Sequence, residues 1–284
     1  MKKKLLALLL GLTLCLSLAA CGGDSAADSG AADTGAAEGG GDSAETVTLT
    51  VAASPTPHAV ILEQCVPILA EQGIDLVINQ YSDYVVPNTA VEDGDEDANY
   101  FQHLPYLEEF NETRGTHLVS VAGVHIEPMG IYAGKTASLD ELSDGAVIGI
   151  PNDPTNEGRA LLLLEAQGLI TLDDSSNLSA TPNNIVDNPK NLQFEEIEAQ
   201  TLPSSRPDLD LAVINSNYAL GAGLNPTTDA LAIESGDSPY VNVLVVKEGN
   251  EDNPAIQALV EALHSDTIRD FINEEFDGAV VPAF

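Results

Sequence analysis

Hydrophobic and polar positions follow two patterns that alternate along residues 46–284. Short apolar runs such as TVTLTVAA (46–53) and YVNVLVVK (240–247) have the length and the β-branched content of strands. Stretches with apolar residues three and four positions apart, at 254–263 and 265–276, predict amphipathic helices. Strands that alternate with helices indicate an α/β fold.

The first three elements predict a βαβ unit. Strand 46–53 is followed by a turn at 54–58, a helix over 59–72 and a second strand at 75–80. Such a unit has a right-handed crossover and places ligand contacts beyond the carboxyl ends of its strands. Residues 81–84, Tyr-Ser-Asp-Tyr, lie in that position.

Further elements follow in the same alternation. The pattern predicts short helices at 88–92 and 138–142, a helix from 216, and strands at 118–124, 128–133, 188–196 and 209–215. We therefore expect two α/β lobes with a cleft between them. The run 240–247 is long enough to cross from one lobe to the other.

The segment VIGIPNDPTNEGRALLLLEAQGLI (147–170) predicts a strand, a turn and a helix. Asp153 is a good N-cap, and Asn156 and Arg159, three positions apart, share one face of the first turns. Free backbone N–H groups, the helix dipole and a guanidinium that can hold two oxygens together form a carboxylate receptor. The alternative is a surface arginine that pairs with Glu157 or another nearby acid.

Phe101, His103 and Tyr106 form an aromatic cluster with two polar tips near the end of a βα unit. One interpretation is the wall of a ligand pocket. The other is a structural role, with Phe101 and Tyr106 in the core and His103 hydrogen-bonded inside the protein.

Composition excludes several function classes. A net charge of −35 argues against nucleic acid and anionic lipid surfaces as partners. The sequence has no Ser–His–Asp arrangement and no phosphate-binding loop, so we predict no enzyme and no cofactor.

No two of the five histidines have the spacing of metal ligands on one helix face, so no metal site is predicted. Cys65 lies among apolar residues and is expected to be a buried thiol.

The N-terminus has the features of an exported lipoprotein. Residues 1–20 combine three lysines with a short apolar stretch, as a signal peptide does. They end in Leu-Ala-Ala before Cys21, which resembles a bacterial lipobox and predicts lipidation (palmitate) at Cys21. Residues 21–45 are rich in Gly, Ala, Ser and Asp and predict a flexible tether.

Several segments resemble one known family. They are SDYVVPN (82–88), DANYFQHLPYL (97–107), PNDPTNEGRALLLLEAQGLI (151–170), NPKNL (188–192), LAVINSNYA (211–219) and SPYVN (238–242). These segments look like the methionine-binding lipoproteins of the MetQ/NlpA type, the substrate-binding subunits of methionine ABC importers. The resemblance implies a two-lobed, type II-like periplasmic-binding-protein fold. In it, 46–131 and 243–284 would form lobe 1 and 132–242 lobe 2.

The resemblance also implies roles for individual residues. It places the ligand carboxylate on Asn156 and Arg159, and the polar amino-acid end on Asn215. The thioether would lie among four aromatic side chains, Tyr84, Phe101, His103 and Tyr106.

The implied function is capture of methionine and its delivery to a permease. L-Methionine is favoured, and D-methionine or a short methionine peptide stays possible. The implied partners are the permease and ATPase subunits and the membrane, through the N-terminal lipid. A lipid-anchored monomer facing the periplasm or the cell exterior is expected. The alternatives are a receptor for another amino acid or a metal ion, and an enzyme on the same fold.

Overall fold

The computed structural model describes residues 46–236 and 238–284. The predicted signal peptide, the lipidation site Cys21 and the tether at 21–45 lie outside the described residues. Within the described ranges, no helix has the length and apolar character needed to cross a bilayer.

Strands and helices alternate along the described chain. The strands are β1 Val47–Ala53, β2 Ile74–Gln80, β3 Ala98–His103, β4 Leu118–Ile126, β5 Gly130–Ala133, β6 Val147–Pro151, β7 Thr171–Leu172, β8 Ile185–Asp187, β9 Gln193–Ile197, β10 Leu211–Ile214, β11 Ala230–Ile233, β12 Val241–Lys247 and β13 Val281–Pro282. The helices are α1 Val60–Ala70, α2 Val86–Asp93, α3 Leu104–Arg114, α4 Pro154–Ala166, α5 Leu202–Ser205, α6 Ser216–Gly221, α7 Pro226–Asp229, α8 Pro254–Leu263 and α9 Asp266–Phe276.

Two mixed sheets form the framework. The six-stranded sheet has the order β13-β4-β12-β3-β1-β2, and the five-stranded sheet has the order β11-β5-β10-β6-β9. In the first sheet β1 pairs in parallel with β2 and β3, whereas β12 is antiparallel to β3 and β4. In the second, β6 is parallel to β9 and β10, and β5 is antiparallel to β10 and β11. This confirms the predicted α/β class.

Each sheet has its own hydrophobic core. One core joins the six-stranded sheet to α1, α8 and α9, with Ile61, Leu259 and Ile272 fully buried. A second core packs α4 on the five-stranded sheet through residues such as Leu161 and Ile148. Burial of these side chains is the main favourable term for each half, at about 25 cal/mol per Å² of apolar surface.

The chain passes between the sheets in short connections, not in a long strand. It leaves β4 at Ile126, enters β5 at Gly130, and returns over residues 234–240 between β11 and β12. The expectation that the run 240–247 crosses between lobes is wrong. Strand β12 pairs along its length with β3 and β4, because its apolar side chains fill the core of the six-stranded sheet.

Most of the other predicted elements agree with the structure to within a few residues, but one does not, and several observed elements were not predicted. The predicted helix at 138–142 is a turn, since a single turn rarely forms a stable helix alone. Helix α3 was not predicted, although its buried positions Tyr106, Leu107 and Phe110 have helical spacing. Cys65 is buried as expected, and burial raises the pKa of its thiol to about 12.

Helix α4 begins as its sequence predicts. The Asp153 side chain accepts a hydrogen bond from the Asn156 backbone N–H at 3.0 Å, and Pro154 occupies the first helical position. At the other end Gly168 has a φ of +69°, a conformation in which a side chain is strained. These two signals fix where Asn156 and Arg159 lie.

Gly158 allows a loop to pack directly on α4 between those two residues. A Cβ at this position would lie 2.4 Å from the Leu178 carbonyl oxygen and 2.8 Å from the Ala180 nitrogen. Since both are backbone atoms, Gly158→Ala should lower the free energy of unfolding by about 1–3 kcal/mol, despite the better helix propensity of alanine.

Gly221 in α6 is a matched control, because the nearest atom to a Cβ there, Thr56 Cγ2, is 3.9 Å away. Gly221→Ala should leave the melting temperature unchanged or raise it slightly. Equal melting temperatures for the two alanine variants would contradict the packing argument.

Candidate functional site

A cavity lies between the two sheets. It is lined by residues that follow strands or begin helices in both halves of the described chain. The lining residues are Tyr84, Phe101, Gln102, His103, Tyr106, Glu127, Asn156, Arg159, Asn215, Ser216, Asn217 and Asn242. All seven residues singled out from the sequence as ligand contacts are among them.

Hydrogen bonds between the halves enclose the cavity. The Tyr84 hydroxyl donates to Asn217 Oδ1 at 2.6 Å, and His103 Nε2 lies 3.1 Å from Asn156 Oδ1. Just outside, the Tyr218 hydroxyl donates to the Ser82 carbonyl at 3.1 Å. The cavity is therefore shut off by contacts that would break if the two sheets moved apart.

Arg159 faces this cavity but is already engaged by an acid. Its Nε and Nη2 donate to the two carboxylate oxygens of Glu234 at 2.7 and 2.5 Å, and Nη2 also donates to the Glu127 carbonyl at 2.7 Å. The guanidinium lies over the Tyr240 ring, 4.3 Å from its centroid. In this conformation the Nε and Nη2 side of the guanidinium holds an acid, which was the alternative considered from the sequence, and the contact of Arg159 with a ligand carboxylate stays a prediction. Of the three guanidinium nitrogens, only Nη1 has no hydrogen-bond partner among the described residues.

Asn156 is held by internal hydrogen bonds on both ends of its amide. Its Nδ2 donates to the Asp153 carboxylate at 2.9 Å, and its Oδ1 accepts from Asn215 Nδ2 at 2.8 Å. This differs from the expected role of Asn156 as an open carboxylate ligand. Asn215 keeps one group available, because its buried Oδ1 has no partner within the described chain.

The aromatic side chains form one end of the cavity. The Tyr84 ring centroid lies 5.9 Å from that of Phe101 and 5.8 Å from that of Tyr106, and Phe101 and Tyr106 are 6.2 Å apart. These are ordinary separations for tilted and edge-to-face pairs. The sequence left two interpretations open, a pocket wall and a structural core. Both apply, because the rings are buried in one cluster and also line the cavity.

His103 joins this wall to the polar end as a neutral imidazole. Its Nδ1 accepts the Tyr106 backbone N–H at 3.1 Å, so its Nε2 carries the proton and donates to Asn156. Burial, together with the positive charge of Arg159, lowers the pKa of His103 to about 3. The ring therefore acts as a fixed donor and an apolar surface.

The sequence did not single out five of the lining residues. They are Gln102, Glu127, Ser216, Asn217 and Asn242. Asn242 lies in the SPYVN motif, which was a usable signal. Glu127 had no comparable signal, because nothing in the sequence distinguishes a buried acid from the other Asp and Glu residues, of which there are 45 in total.

Glu127 is the buried carboxylate of the cavity, only 5 % exposed. Burial raises its pKa, whereas His58, Arg159 and the Asn217 backbone N–H act in the opposite direction. His125 Nε2 and His58 Nε2 lie 2.9 and 3.3 Å from its Oε1. Burial is the largest of these effects, so the pKa of Glu127 is raised overall, although the surrounding donors favour the charged form.

His58, His125 and Glu127 also have the composition of a metal-binding group, which the sequence spacing did not predict. His125 Nε2 donates to Glu127 at 2.9 Å and His58 Nε2 donates to Asn242 Oδ1 at 3.0 Å, so in this arrangement neither Nε2 offers a lone pair to a cation. The geometry fits a hydrogen-bonded polar cluster.

The polar groups that line the cavity define what it can bind. The acceptors are Glu127 and Asn215 Oδ1, of which Asn215 Oδ1 has no partner in the described part of the chain, and the donors are Arg159 and Asn242. Acceptors and a cationic donor at one end, with aromatic rings at the other, suit a small zwitterion that has an apolar side chain.

Comparison with known proteins gives consistent matches over the same region. A family model described as NlpA lipoprotein matches residues 49–284. The methionine-binding lipoprotein MetQ of Bacillus subtilis (strain 168) is 42% identical over 270 residues, which cover 93% of this chain and 93% of that protein.

Solved structures agree with the fold. A lipoprotein from Ruminococcus gnavus ATCC 29149 matches with a TM-score of 0.82 and 52% sequence identity, covering 84% of this chain and 99% of the other. A nutrient binding protein from Burkholderia cenocepacia, bound to methionine, matches with a TM-score of 0.80 and 41% identity, covering 83% of this chain and 100% of the other.

Proposed function

The chain belongs to the NlpA lipoprotein family, and we propose that it is the substrate-binding lipoprotein of an ABC importer with methionine as its ligand. The observation that carries the proposal is the enclosed cavity. It presents a buried carboxylate and a guanidinium to one end of a ligand and three aromatic rings to the other. The relatives are named for binding, so the proposal includes no catalytic step and no cofactor.

A methionine zwitterion can pair with the polar groups that line the cavity. We place its ammonium against Glu127 and Asn215 Oδ1, and its carboxylate against Arg159 Nη1 and Asn242 Nδ2. The thioether then lies among Tyr84, Phe101 and Tyr106, where sulfur–aromatic contacts contribute about 0.3–1.5 kcal/mol.

Opening and closing of two lobes gives the ligand access. We propose that residues 46–131 with 243–284, and residues 132–242, move as lobes, with the Tyr84–Asn217 and His103–Asn156 contacts made on closure. A ligand that contacts both lobes stabilises the closed form by its differential affinity. That form would dock on the permease and its ATPase.

Membership of a lipoprotein family implies attachment to a membrane outside the cytoplasm. We propose Cys21 as the attachment point, residues 21–45 as the tether, and a monomer that faces the periplasm or the cell exterior. A tether of this composition lets the folded body reach a permease in the same membrane.

The direct test is a ligand screen of the full chain, purified in detergent and freed of co-purified ligand by unfolding and refolding. Thermal denaturation is recorded with each of the twenty amino acids, D-methionine, methionine sulfoxide and methionine dipeptides. L-Methionine at about 100 times its Kd should stabilise the protein by roughly 2.7 kcal/mol. If no methionine compound raises the melting temperature while another amino acid does, the methionine assignment is wrong.

A further inference from the structure

A chain of buried hydrogen bonds lies behind Glu127, on the side away from the cavity. The Tyr100 hydroxyl bonds His125 Nδ1, and His125 Nε2 bonds Glu127 Oε1 at 2.9 Å. From another direction His58 Nε2 lies 3.3 Å from the same oxygen and 3.0 Å from Asn242 Oδ1. All five residues are at most 5 % exposed.

The partners fix the protonation of both rings. Because His125 Nε2 faces a carboxylate oxygen, its Nδ1 is the unprotonated nitrogen and accepts from the Tyr100 hydroxyl. The proton of His125 is then on Nε2, directed at Glu127. His58 Nε2 faces two acceptor oxygens and so carries the proton, while its buried Nδ1 has no partner within the described residues. A protonated Nδ1 would leave an unsatisfied donor.

Both histidines are therefore neutral donors. Burial lowers the pKa of His58 to about 4 and that of His125 to about 3. A lysine or arginine in their place would orient the carboxylate but would also cancel its charge. Two neutral N–H groups orient the Glu127 carboxylate without neutralising its charge, so the charge can act on a ligand in the cavity.

The two charged groups of the cavity, Arg159 and Glu127, are thus compensated by their partners to different extents. The cation Arg159 is compensated by Glu234, 2.5 Å away, whereas Glu127 has no fully charged partner at hydrogen-bond distance. Of the two charged ends of a ligand, the ammonium meets the uncompensated group. Removal of the amino group should therefore cost more affinity than neutralisation of the carboxylate.

We propose that His125, with support from His58, is a positioning residue that holds Glu127 as an acceptor and so selects ligands with a free α-ammonium group. The inference rests on the proposed function, since it concerns the same cavity. The ligand class is unblocked α-amino acids. N-acylated methionine is excluded, because an amide N–H carries no charge and the acyl group has to fit an enclosed cavity.

The test compares two ligands by calorimetry, methionine and its des-amino analogue 4-(methylthio)butanoate. The variants are His58→Leu and His125→Leu, which remove the donors, and His58→Gln and His125→Gln, which keep an amide N–H near Nε2. Each leucine variant should lose about tenfold or more in methionine affinity, on the scale of a hydrogen bond to a charged group. For His125→Leu the affinity for the des-amino analogue should change less than about twofold, since that ligand does not use Glu127, whereas His58→Leu also releases Asn242, which contacts the carboxylate of both ligands. The glutamine variants should recover most of the loss.

His264 is the matched control, because it is a half-buried histidine that bonds the Gly123 carbonyl at 2.8 Å and does not line the cavity. His264→Leu should leave the ratio of the affinities for methionine and the des-amino analogue unchanged. Equal losses for both ligands in the His125→Leu variant would show a merely structural role and overturn the inference.

Two further readouts separate the possible failures. If the wild-type protein binds no methionine, the proposed function fails together with the inference; if it binds methionine but the affinity ratio does not change, only the inference fails. Nitrogen-15 NMR of the histidine side chains in the wild-type protein needs no variant to fold. It should show the neutral Nε2–H tautomer for both rings, and an imidazolium or an Nδ1–H tautomer would overturn the inference.

Discussion

Methionine affinity should fall by about two orders of magnitude when Arg159 is replaced with methionine, because a charged donor to the ligand carboxylate is lost in a water-excluded site. The Arg159 side chain is only 3% exposed, and its guanidinium also bonds Glu234 and the Glu127 carbonyl. The variant therefore leaves an acid without its partner. Loss of one member of a buried pair typically costs about 3–5 kcal/mol of stability.

A double variant separates binding from stability. In Arg159→Met with Glu234→Gln, no unpaired charge remains, so the free energy of unfolding should return most of the way to the wild-type value. Methionine affinity should stay low, because the donor to the carboxylate is still absent. Calorimetry and urea denaturation of the single and double variants measure both quantities. Recovery of methionine binding in the double variant would show that Arg159 serves only to neutralise Glu234.

Local signals in the sequence were enough to predict where Arg159 and Asn156 lie. The cap Asp153, Pro154 at the first helical position and Gly168 after the last turn act within one helix and its neighbours. The aromatic wall was predictable for a related reason. Phe101 and Tyr106 come from consecutive elements, β3 and α3, and thus from one short stretch of chain.

The partners of these residues could not be predicted in the same way. Arg159 and Glu234 are 75 positions apart, and the sequence contains 45 Asp and Glu residues among which to choose. Asn156 was expected to face a ligand, but side chains from both halves of the fold, His103 and Asn215, meet at its Oδ1. Pairing at such distances is decided by sheet order and by desolvation, and neither leaves a local pattern.

The histidine–glutamate cluster shows the same limit in another form. His58 precedes α1, and His125 and Glu127 lie at the end of β4, so only the order of strands in the six-stranded sheet brings them together. Spacing along one helix is a valid signal for a local metal site. It gives no information on side chains that converge from separate elements.

Phe101→Ala should have the second large effect, on both stability and ligand choice. Truncation of a buried phenylalanine costs about 3–5 kcal/mol of unfolding free energy. Phe101 is 3 % exposed and lines the cavity, so its loss also removes a contact of the ligand side chain. Methionine affinity should fall by about tenfold, at the upper range of a sulfur–aromatic contact. Any weak affinity for glycine or alanine should be unchanged.

Phe110 supplies the control that makes this prediction specific. It is 2 % exposed, belongs to the same cluster as Phe101 and Tyr106, and does not line the cavity. Phe110→Ala should therefore lose a similar amount of stability and keep its methionine affinity, measured by calorimetry below the melting temperature of both variants. Equal weakening of methionine binding in the two variants would mean that the aromatic cluster acts on the ligand only through the stability of the fold. A loss confined to Phe101→Ala requires direct contact between this ring and the ligand side chain, because the two variants differ in their access to the cavity and not in the kind of packing that they disrupt.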